Sequence, residues 1–495
     1  MKLLDIIKNI EIQNISNANN PEINTLCYDN RKATAKSLFF ALIGASTDGH
    51  KFIKSAIDSG AEAIICQDDT LAAEYPAVTF VKVSDSRYAM AIAAHNYNGS
   101  PANGIENIAI TGTNGKTTTT FLLRNMLNQL NEKVGIIGTT GIFIADELIP
   151  ATHTTPESLE LAEIYRKMAY ADVNKIAIEV SSHALCQHRA AGINFAGALF
   201  TNLTHEHLDY HKTMEEYAKA KKILFDNLQP NAIAIVFDTS EYSNYILQDC
   251  KADRQYKIGY NPASDIQISD IQLNLQSSEF TLSFHNSISQ FGTIRCSTKL
   301  IGKFNVENAA LAVAYLILSG VNPQKVVEIL ANADGAPGRM DRIALKNGAI
   351  AVVDYAHTPD ALEKALTACR ELLADKPDNK LISVFGCGGD RDATKRPIMG
   401  NISTTIADYT IITDDNPRTE DPQSIILQII AGVSHGNKEY VAISPRETAI
   451  RKAVAYSNSN DIILIAGKGH ENYQIIGTEK HHFDDKEIVA ESNKN

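Results

Sequence analysis

The sequence predicts an α/β protein of about three domains built on parallel sheets. Two patterns carry that expectation. Short apolar runs rich in β-branched residues alternate with amphipathic helical stretches along nearly the whole chain. Strands that are apolar on both faces and separated by helices belong to parallel sheets. A length of 495 residues, at roughly 150 per domain, implies about three domains.

The β-rich runs, in order, are residues 63–66, 78–83, 107–111, 133–138, 175–180, 197–203, 232–238, 349–355, 381–386, 409–414 and 461–467. Helical patterns lie between them at 117–130, 157–170, 360–373 and 446–458. A further helical stretch, 86–98, is followed by Gly99, Pro101 and Gly104, which mark a first boundary. Gly335, Pro337 and Gly338 break a helical pattern at 331–343 and mark a second. The expected domains are therefore 1–97, 98–334 and 335–495. Residues 265–300 alternate polar and apolar and predict a small antiparallel insertion in the middle domain, whereas the apolar run 309–321 reads as a buried helix.

A composition of 44% apolar and 21% charged residues is that of a cored globular protein and excludes disordered and fibrous classes. The net charge of −12, without a long basic run, argues against nucleic acid as a partner. Local anion sites remain open, because backbone amides supply them. Seven scattered cysteines, none in a C-x-x-C pair, read as small buried apolar residues in a reducing cytosol. Asp5 and Lys8 interrupt what a secretion signal requires to be apolar. A cytoplasmic location is expected.

The most informative stretch is the strand-like 108–111 followed by Gly112-Thr113-Asn114-Gly115-Lys116-Thr117-Thr118 and a helical pattern. A strand, a glycine turn and a helix N-terminus form a phosphate cradle. Lys116 supplies charge at the β/γ-phosphates and the Thr117 hydroxyl a Mg²⁺ ligand. The glycines are closer together than in the usual G-x-x-x-x-G-K-[ST]. At this point ATPase, kinase, GTPase and ligase all remain open. Glu179 closes a strand, where a metal-binding acid stands in such domains. Residues 201–211 (TNLTHEHLDYH) cluster His and Asp after another strand, in a pattern that suits metal or phosphate contacts.

The motifs TGTNGKTTT, EVSSH, QHR, TNLTHEHLDYH, GKFNVENAA, DYAHTPDAL, GCGGDRD, TDDNPRTEDP and GKGHE occur in the order seen in the Mur ligases of peptidoglycan synthesis. The match covers nearly all of the chain from about residue 105 to 475. The chain resembles that family, and in particular its branch that adds meso-diaminopimelate to UDP-N-acetylmuramoyl-L-alanyl-D-glutamate. The resemblance implies an N-terminal α/β UDP-sugar-binding domain, a central P-loop ATPase domain and a Rossmann-like C-terminal domain for the amino acid. It also implies that the D-Glu γ-carboxylate is activated by ATP as an acyl phosphate, and that the protein is a monomer without membrane insertion.

Carried over residue by residue, Glu179, His207 and Thr117 resemble Mg²⁺ ligands, with two ions expected. Lys221, fourteen residues after His207, matches a lysine that carries a CO₂-derived carbamate able to ligate the second ion. Asn305, Arg342 and Asp354 resemble adenosine-side contacts, the last on the ribose or hinge side. Thr154, Thr155, Ser181, Gln187 and Arg189 match positions that hold the muramoyl-peptide. Tyr28 and Asn30, with Ala45, Ser46 and Thr47, fall at the uridine-diphosphate loops, and His153 falls near them. Asn30 replaces a commoner Ser, Ala45-Ser46-Thr47 a frequent His-Gln-Ala, and His153 a frequent Asn. Asp415-Asn416-Pro417-Arg418 follows a strand end, where α/β ligand sites form. Arg418 offers a guanidinium fork to the second carboxylate that separates diaminopimelate from lysine. Arg391, Gly467 and Glu471 match the remaining amino-acid contacts, with Glu471 suited to the distal ammonium. The competing readings are a lysine-adding relative, opposed by DNPR, and a folylpolyglutamate-synthase-like ligase, opposed by the domain ahead of the loop. A nucleotide-binding scaffold without activity is opposed by the intact Lys116, Thr117, Glu179, His207 and Lys221.

Overall fold

The computed structural model describes residues 1–44, 47–204, 208–238, 241–374, 377–433 and 438–494, with the side chains of Leu208 and Asp209 also left out. It divides into two compact units: residues 1–267 with 284–290 and 311–322, and residues 268–283 with 291–310 and 323–495.

In the first unit, a five-stranded sheet runs edge to edge as Ile12–Ser16, Thr79–Val83, Ala61–Cys66, Ser37–Phe40 and Thr25–Cys27. All neighbours are parallel except the first pair. Phe39, Phe40, Ile64, Ile65, Phe80 and Val81 are fully buried, so this sheet has a core on each face. The helix Ser86–Tyr97 starts where Asp85 accepts from the amides of Arg87 and Tyr88, a side-chain N-cap.

The same unit carries the parallel strands Val134–Gly138, Lys175–Glu179, Glu106–Thr111, Phe195–Phe200, Ile233–Phe237 and Arg254–Gly259, adjacent in that order. In the first five the apolar residues are nearly all buried, as their apolar runs predict; Arg254–Gly259 (RQYKIG) is mostly polar, partly exposed and not expected from its sequence. A short hairpin, Gly141–Ile144 with Glu147–Ile149, extends one edge antiparallel. At the other edge Ile266 and Gln267, the start of the strand Ile266–Leu273, pair with Arg254–Gly259; the rest of that strand, nearly all of Ser278–Phe284, and Thr293–Thr298 belong to the second unit. The last two pair antiparallel inside the segment whose alternation predicts it.

The second unit holds a six-stranded sheet: Asp341–Ala344, Ile350–Asp354, Ile462–Ala466, Leu381–Phe385, Tyr409–Ile412 and Glu439–Ala442. Only its first strand is antiparallel. A separate hairpin, Tyr473–Ile476 with Glu479–His482, follows. Among the described residues, no helix is long and apolar enough to cross a membrane. All seven cysteines are free, five of them buried.

Candidate active site

The strand Glu106–Thr111 lies between Lys175–Glu179 and Phe195–Phe200 with all three parallel. Their carboxyl ends therefore open on one edge, and the glycine turn emerges there. Gly112 has φ +142° and Gly115 φ +87°. A Cβ on Gly112 would stand 1.9 Å from the Thr201 hydroxyl, so neither a side chain nor the usual backbone region is available. Asn202 seats the turn: its carbonyl accepts from the Thr113 amide at 2.9 Å and its Oδ1 from the Asn114 amide at 3.0 Å. The helix Lys116–Asn128 follows directly.

Two lysines converge on this turn. Lys116 Nζ donates to the carbonyls of Gly112 at 3.0 Å and Thr113 at 2.7 Å. Lys221, buried on the helix Met214–Asp226, donates from Nζ to the same Gly112 oxygen at 2.8 Å. It also stands 4.5 Å over the Tyr217 ring, whose hydroxyl lies 3.2 Å from Thr113 Oγ1. Helix amides and the Lys116 ammonium are the groups that phosphate binding at such a turn uses.

Glu179 stands beside it, buried, at the end of its strand. One oxygen accepts from Thr117 Oγ1 at 3.0 Å and Thr139 Oγ1 at 3.2 Å, the other from the Thr139 amide at 3.0 Å. The bonds continue outward. Thr139 Oγ1 lies 3.0 Å from Thr154 Oγ1. Thr155 Oγ1 donates to the Glu179 carbonyl at 2.8 Å and accepts from the Ser181 amide at 3.1 Å. Arg189 Nη1 donates to the Thr155 carbonyl at 2.9 Å, and its other nitrogens grip Gln187 Oε1. Glu157 pairs with Arg189 at 2.8 Å. Lys116, Thr117, Glu179, Thr154, Thr155, Ser181, Gln187 and Arg189 are thus gathered on one edge. Thr139 and Glu157 belong to the same chain and are absent from the sequence reading. The only signal for Thr139 is a Thr pair just past a strand end, and Glu157 reads as the first residue of a helix.

His207, Ala45 and Ser46 lie outside the described residues. Among the described residues, no three His, Cys, Asp or Glu side chains converge as a metal cluster. Thr117 and Glu179 do present adjacent oxygens, the donor type that Mg²⁺ takes. Tyr28 keeps much of its surface exposed, but partial burial of its hydroxyl, with the nearby Glu157 and Glu160 carboxylates, pushes the phenol pKa up. Asn30 donates to Ser55 Oγ at 3.0 Å, His153 Nδ1 lies 3.2 Å from Thr152 Oγ1, and the Thr47 carbonyl accepts from Gly44.

In the second unit the parallel strands Ile350–Asp354, Ile462–Ala466, Leu381–Phe385 and Tyr409–Ile412 end on one edge. Asp354 accepts from the amides of Met340 and Ala356, both at 2.8 Å, and burial raises its pKa. Gly467, at φ +121°, donates to the Asp354 carbonyl. Asn416 is buried: its Nδ2 donates to Glu471 Oε2 at 3.0 Å, and its Oδ1 accepts from Lys468 Nζ at 3.0 Å and the Ile475 amide at 2.9 Å. Arg418 is held at φ +52° because its amide donates to the Ile475 carbonyl and its carbonyl accepts from Gly477. Its Nη1 donates to the Gly389 carbonyl at 2.8 Å. The Pro417 carbonyl caps the Glu420 amide, and Arg391 is exposed with Nη1 on the Asp390 carbonyl. Asp415, Asn416, Pro417, Arg418, Gly467 and Glu471 are therefore gathered in this unit. Arg342 donates to the Leu275 carbonyl at 2.6 Å, and Asn305 donates to the Ile301 carbonyl at 2.9 Å. Lys468, inside GKGHE, stands among Asn416, Asp415 and Glu471.

Three family models match in chain order: the Mur ligase family catalytic domain over residues 22–98, the Mur ligase middle domain over 110–316 and the Mur ligase glutamate ligase domain over 338–469. The chain belongs to the Mur ligase family. It is 42% identical over 495 residues to UDP-N-acetylmuramoyl-L-alanyl-D-glutamate–2,6-diaminopimelate ligase 1 of Clostridium acetobutylicum, with 99% of each chain covered. It is 39% identical to the ligase of that name from Bacteroides fragilis, again with 99% of each covered. A solved structure of such a ligase aligns over 100% of this chain and 99% of its own, with a TM-score of 0.72 and 32% identity. Folylpolyglutamate synthase of Thermotoga maritima aligns over 77% of this chain and 90% of its own, with a TM-score of 0.59 and 18% identity. That second likeness is one of fold alone.

Proposed function

We propose that the protein joins meso-diaminopimelate to the D-Glu γ-carboxylate of UDP-N-acetylmuramoyl-L-alanyl-D-glutamate at the expense of ATP, in the supply of peptidoglycan precursors. The observation that carries the reaction class is the unbroken hydrogen-bond chain from Thr117 through Glu179 and Thr155 to Ser181 and Arg189. It ties a phosphate cradle to a guanidinium fit for a carboxylate. A carboxylate and a phosphate that must react are both anions, so the site has to supply positive charge and alignment.

In this reading Arg189, Ser181, Thr154, Thr155 and Gln187 hold the dipeptide, and Tyr28, Asn30, His153 and residues 45–47 flank its nucleotide. Lys116 and the amides of residues 112–118 hold the ATP phosphates, with Asn305, Arg342 and Asp354 on the adenosine side. A γ-carboxylate oxygen of D-Glu attacks the γ-phosphorus, the bond to the β-bridging oxygen breaks, and ADP leaves. The diaminopimelate amine then attacks the acyl carbon, loses a proton, and expels phosphate. Lys116 stabilises charge on the transferred group. Mg²⁺, when bound, neutralises phosphate charge. Thr117, Glu179 and His207 are its proposed ligands, and a carbamate on Lys221 is proposed for a second ion. Asn416, Arg418, Glu471, Arg391, Asp415, Pro417 and Gly467 take the amino acid. The division 1–97, 98–334 and 335–495, a monomeric state and a cytoplasmic location complete the reading.

Incubation with ATP and the muramoyl-dipeptide, without amino acid, tests it. Borohydride should trap the acyl phosphate as the reduced γ-alcohol, and added diaminopimelate should abolish trapping while releasing phosphate. Phosphate release that ignores the dipeptide would overturn the proposal.

A further inference from the structure

Lys468 is fully buried, and its surroundings are not those of an ordinary ion pair. Nζ donates to Asn416 Oδ1 at 3.0 Å and stands 3.5 Å from both Asp415 Oδ1 and Glu471 Oε2. One cation is thus shared between two carboxylates. Asp415 Oδ1 is itself buried and accepts no hydrogen bond, so the Lys468 ammonium is the charge that answers it. The three charges leave one net negative charge beside Arg418.

The backbone here is fixed by a different group. Arg446, fully buried, grips Asp485 through two bonds of 2.8 and 2.7 Å and donates to the carbonyls of Asp414 at 3.3 Å and Ala466 at 3.1 Å. It therefore staples the two loops together one residue before Asp415 and two before Lys468. The course of the two loops therefore does not rest on Lys468 alone. What Lys468 alone supplies is the charge balance of the side chains.

We propose that Lys468 is a positioning residue of the amino-acid pocket: its buried ammonium holds Asn416 and Glu471 in register and trims two carboxylates to the single negative charge that a substrate ammonium completes. This rests on the reading that Asn416, Arg418 and Glu471 take diaminopimelate. The substrate's far end is then matched charge for charge, its carboxylate on Arg418 and its ammonium on Glu471, while Lys468 answers Asp415. Glu471 is faced by Lys468, by the Tyr473 hydroxyl that bonds it, and by Asp415 and Tyr355. Lys468 is the cation among them in contact with both carboxylates. Removing it leaves like charges together, which favours protonation of one of them.

The test uses the full chain with ATP, the muramoyl-dipeptide and diaminopimelate, comparing Lys468→Met, Lys468→Gln, Lys468→Arg and Arg418→Ala. Lys468→Met should raise KM for diaminopimelate about tenfold or more, with KM for ATP and dipeptide nearly unchanged. The acid limb of kcat/KM for diaminopimelate should move up by about one pH unit, because the substrate ammonium needs an ionised Glu471. Lys468→Gln restores the donor to Asn416 but not the charge, so it should keep the shifted limb; Lys468→Arg should return the limb to its wild-type place. A folded Met or Gln variant with an unmoved acid limb, or with equal losses for all three substrates, would overturn the proposal. If Arg418→Ala raises KM for diaminopimelate while the lysine variants do not, only Lys468 is reassigned. If neither has an effect, the pocket itself is misplaced.

Discussion

The Gly112 carbonyl oxygen accepts from two ammonium groups, Lys116 and Lys221, and each answers for a different part of the proposed chemistry. Lys116→Ala removes charge from the phosphate side while the turn keeps its seat on Asn202, so turnover should fall about 10²–10³-fold without loss of fold. Initial rates with a thermal melt check it, and near-normal ligation by a folded variant would reject the phosphate-loop assignment. Lys221→Ala should be about 10²-fold slower and should recover in part with a short carboxylic acid that fills the vacated anion position. Carbon-13 NMR in labelled bicarbonate should show a carbamate signal in the wild type alone; its absence from active enzyme would contradict the modification. These lysines differ in legibility. Lys116 follows from strand, turn and helix together, whereas Lys221 lies among Lys219 and Lys222 in a run that reads as a solvated face. Only its match to the family singles it out, because its burial depends on a turn more than a hundred residues away.

At the scale of elements, the buried Arg446–Asp485 pair ties the helices Arg446–Tyr456 and Asp485–Ser492 to the loops of the amino-acid pocket. Asp485→Ala strands a buried guanidinium and should cost about 3–5 kcal/mol, whereas Arg446→Met with Asp485→Leu should cost clearly less. Urea midpoints for the two decide it, and equal losses would contradict the assignment. The helix Ser86–Tyr97 carries His95, buried against Gly192 and Tyr165, where burial lowers its pKa to about 4. The folded chain resists the proton that an unfolded histidine accepts near 6.5, so this stability is present above pH 6.5 and drains away toward pH 4. A shift of that size amounts to about 3 kcal/mol. His95→Gln should flatten the decline in urea stability over that window; an unchanged slope would exclude His95 as its source. Neither His95 nor Arg446 is marked in the sequence, since each sits in a regular helical pattern and is defined by partners from distant segments. The central strands are legible because they are apolar without a break. The edge strands Ile12–Ser16 and Thr25–Cys27 and the hairpins at 141–149 and 473–482 are short, partly exposed and held by pairing, so their sequences carry little pattern of their own.

For the whole molecule, the order of motifs states the family and the sheets explain why those motifs act together. Most of them fall at or just past the carboxyl end of a parallel strand: 112–118, 179–181 and 201–202 in one unit, 354–356, 386–391, 413–418 and 467–471 in the other; QHR and GKFNVENAA do not. Sequence spacing conceals this convergence because helices intervene, and a parallel sheet restores it. The residues proposed to flank the nucleotide, Asn30, residues 45–47 and His153, are least legible, since no local pattern in the sequence marks them. The proposed function makes these edges those of a diaminopimelate-selective ligase, with Arg418 proposed to read the distal carboxylate. Its most direct test is kcat/KM for meso-diaminopimelate and for L-lysine, in the wild type and in Arg418→Ala. Loss of a buried partner to a charged group costs on the order of 2–5 kcal/mol, so diaminopimelate efficiency should fall by about 30-fold or more while lysine, poor from the start, falls far less. ATP affinity should stay the same. Equal factors of loss for the two amino acids, or a wild type that prefers lysine, would contradict the account.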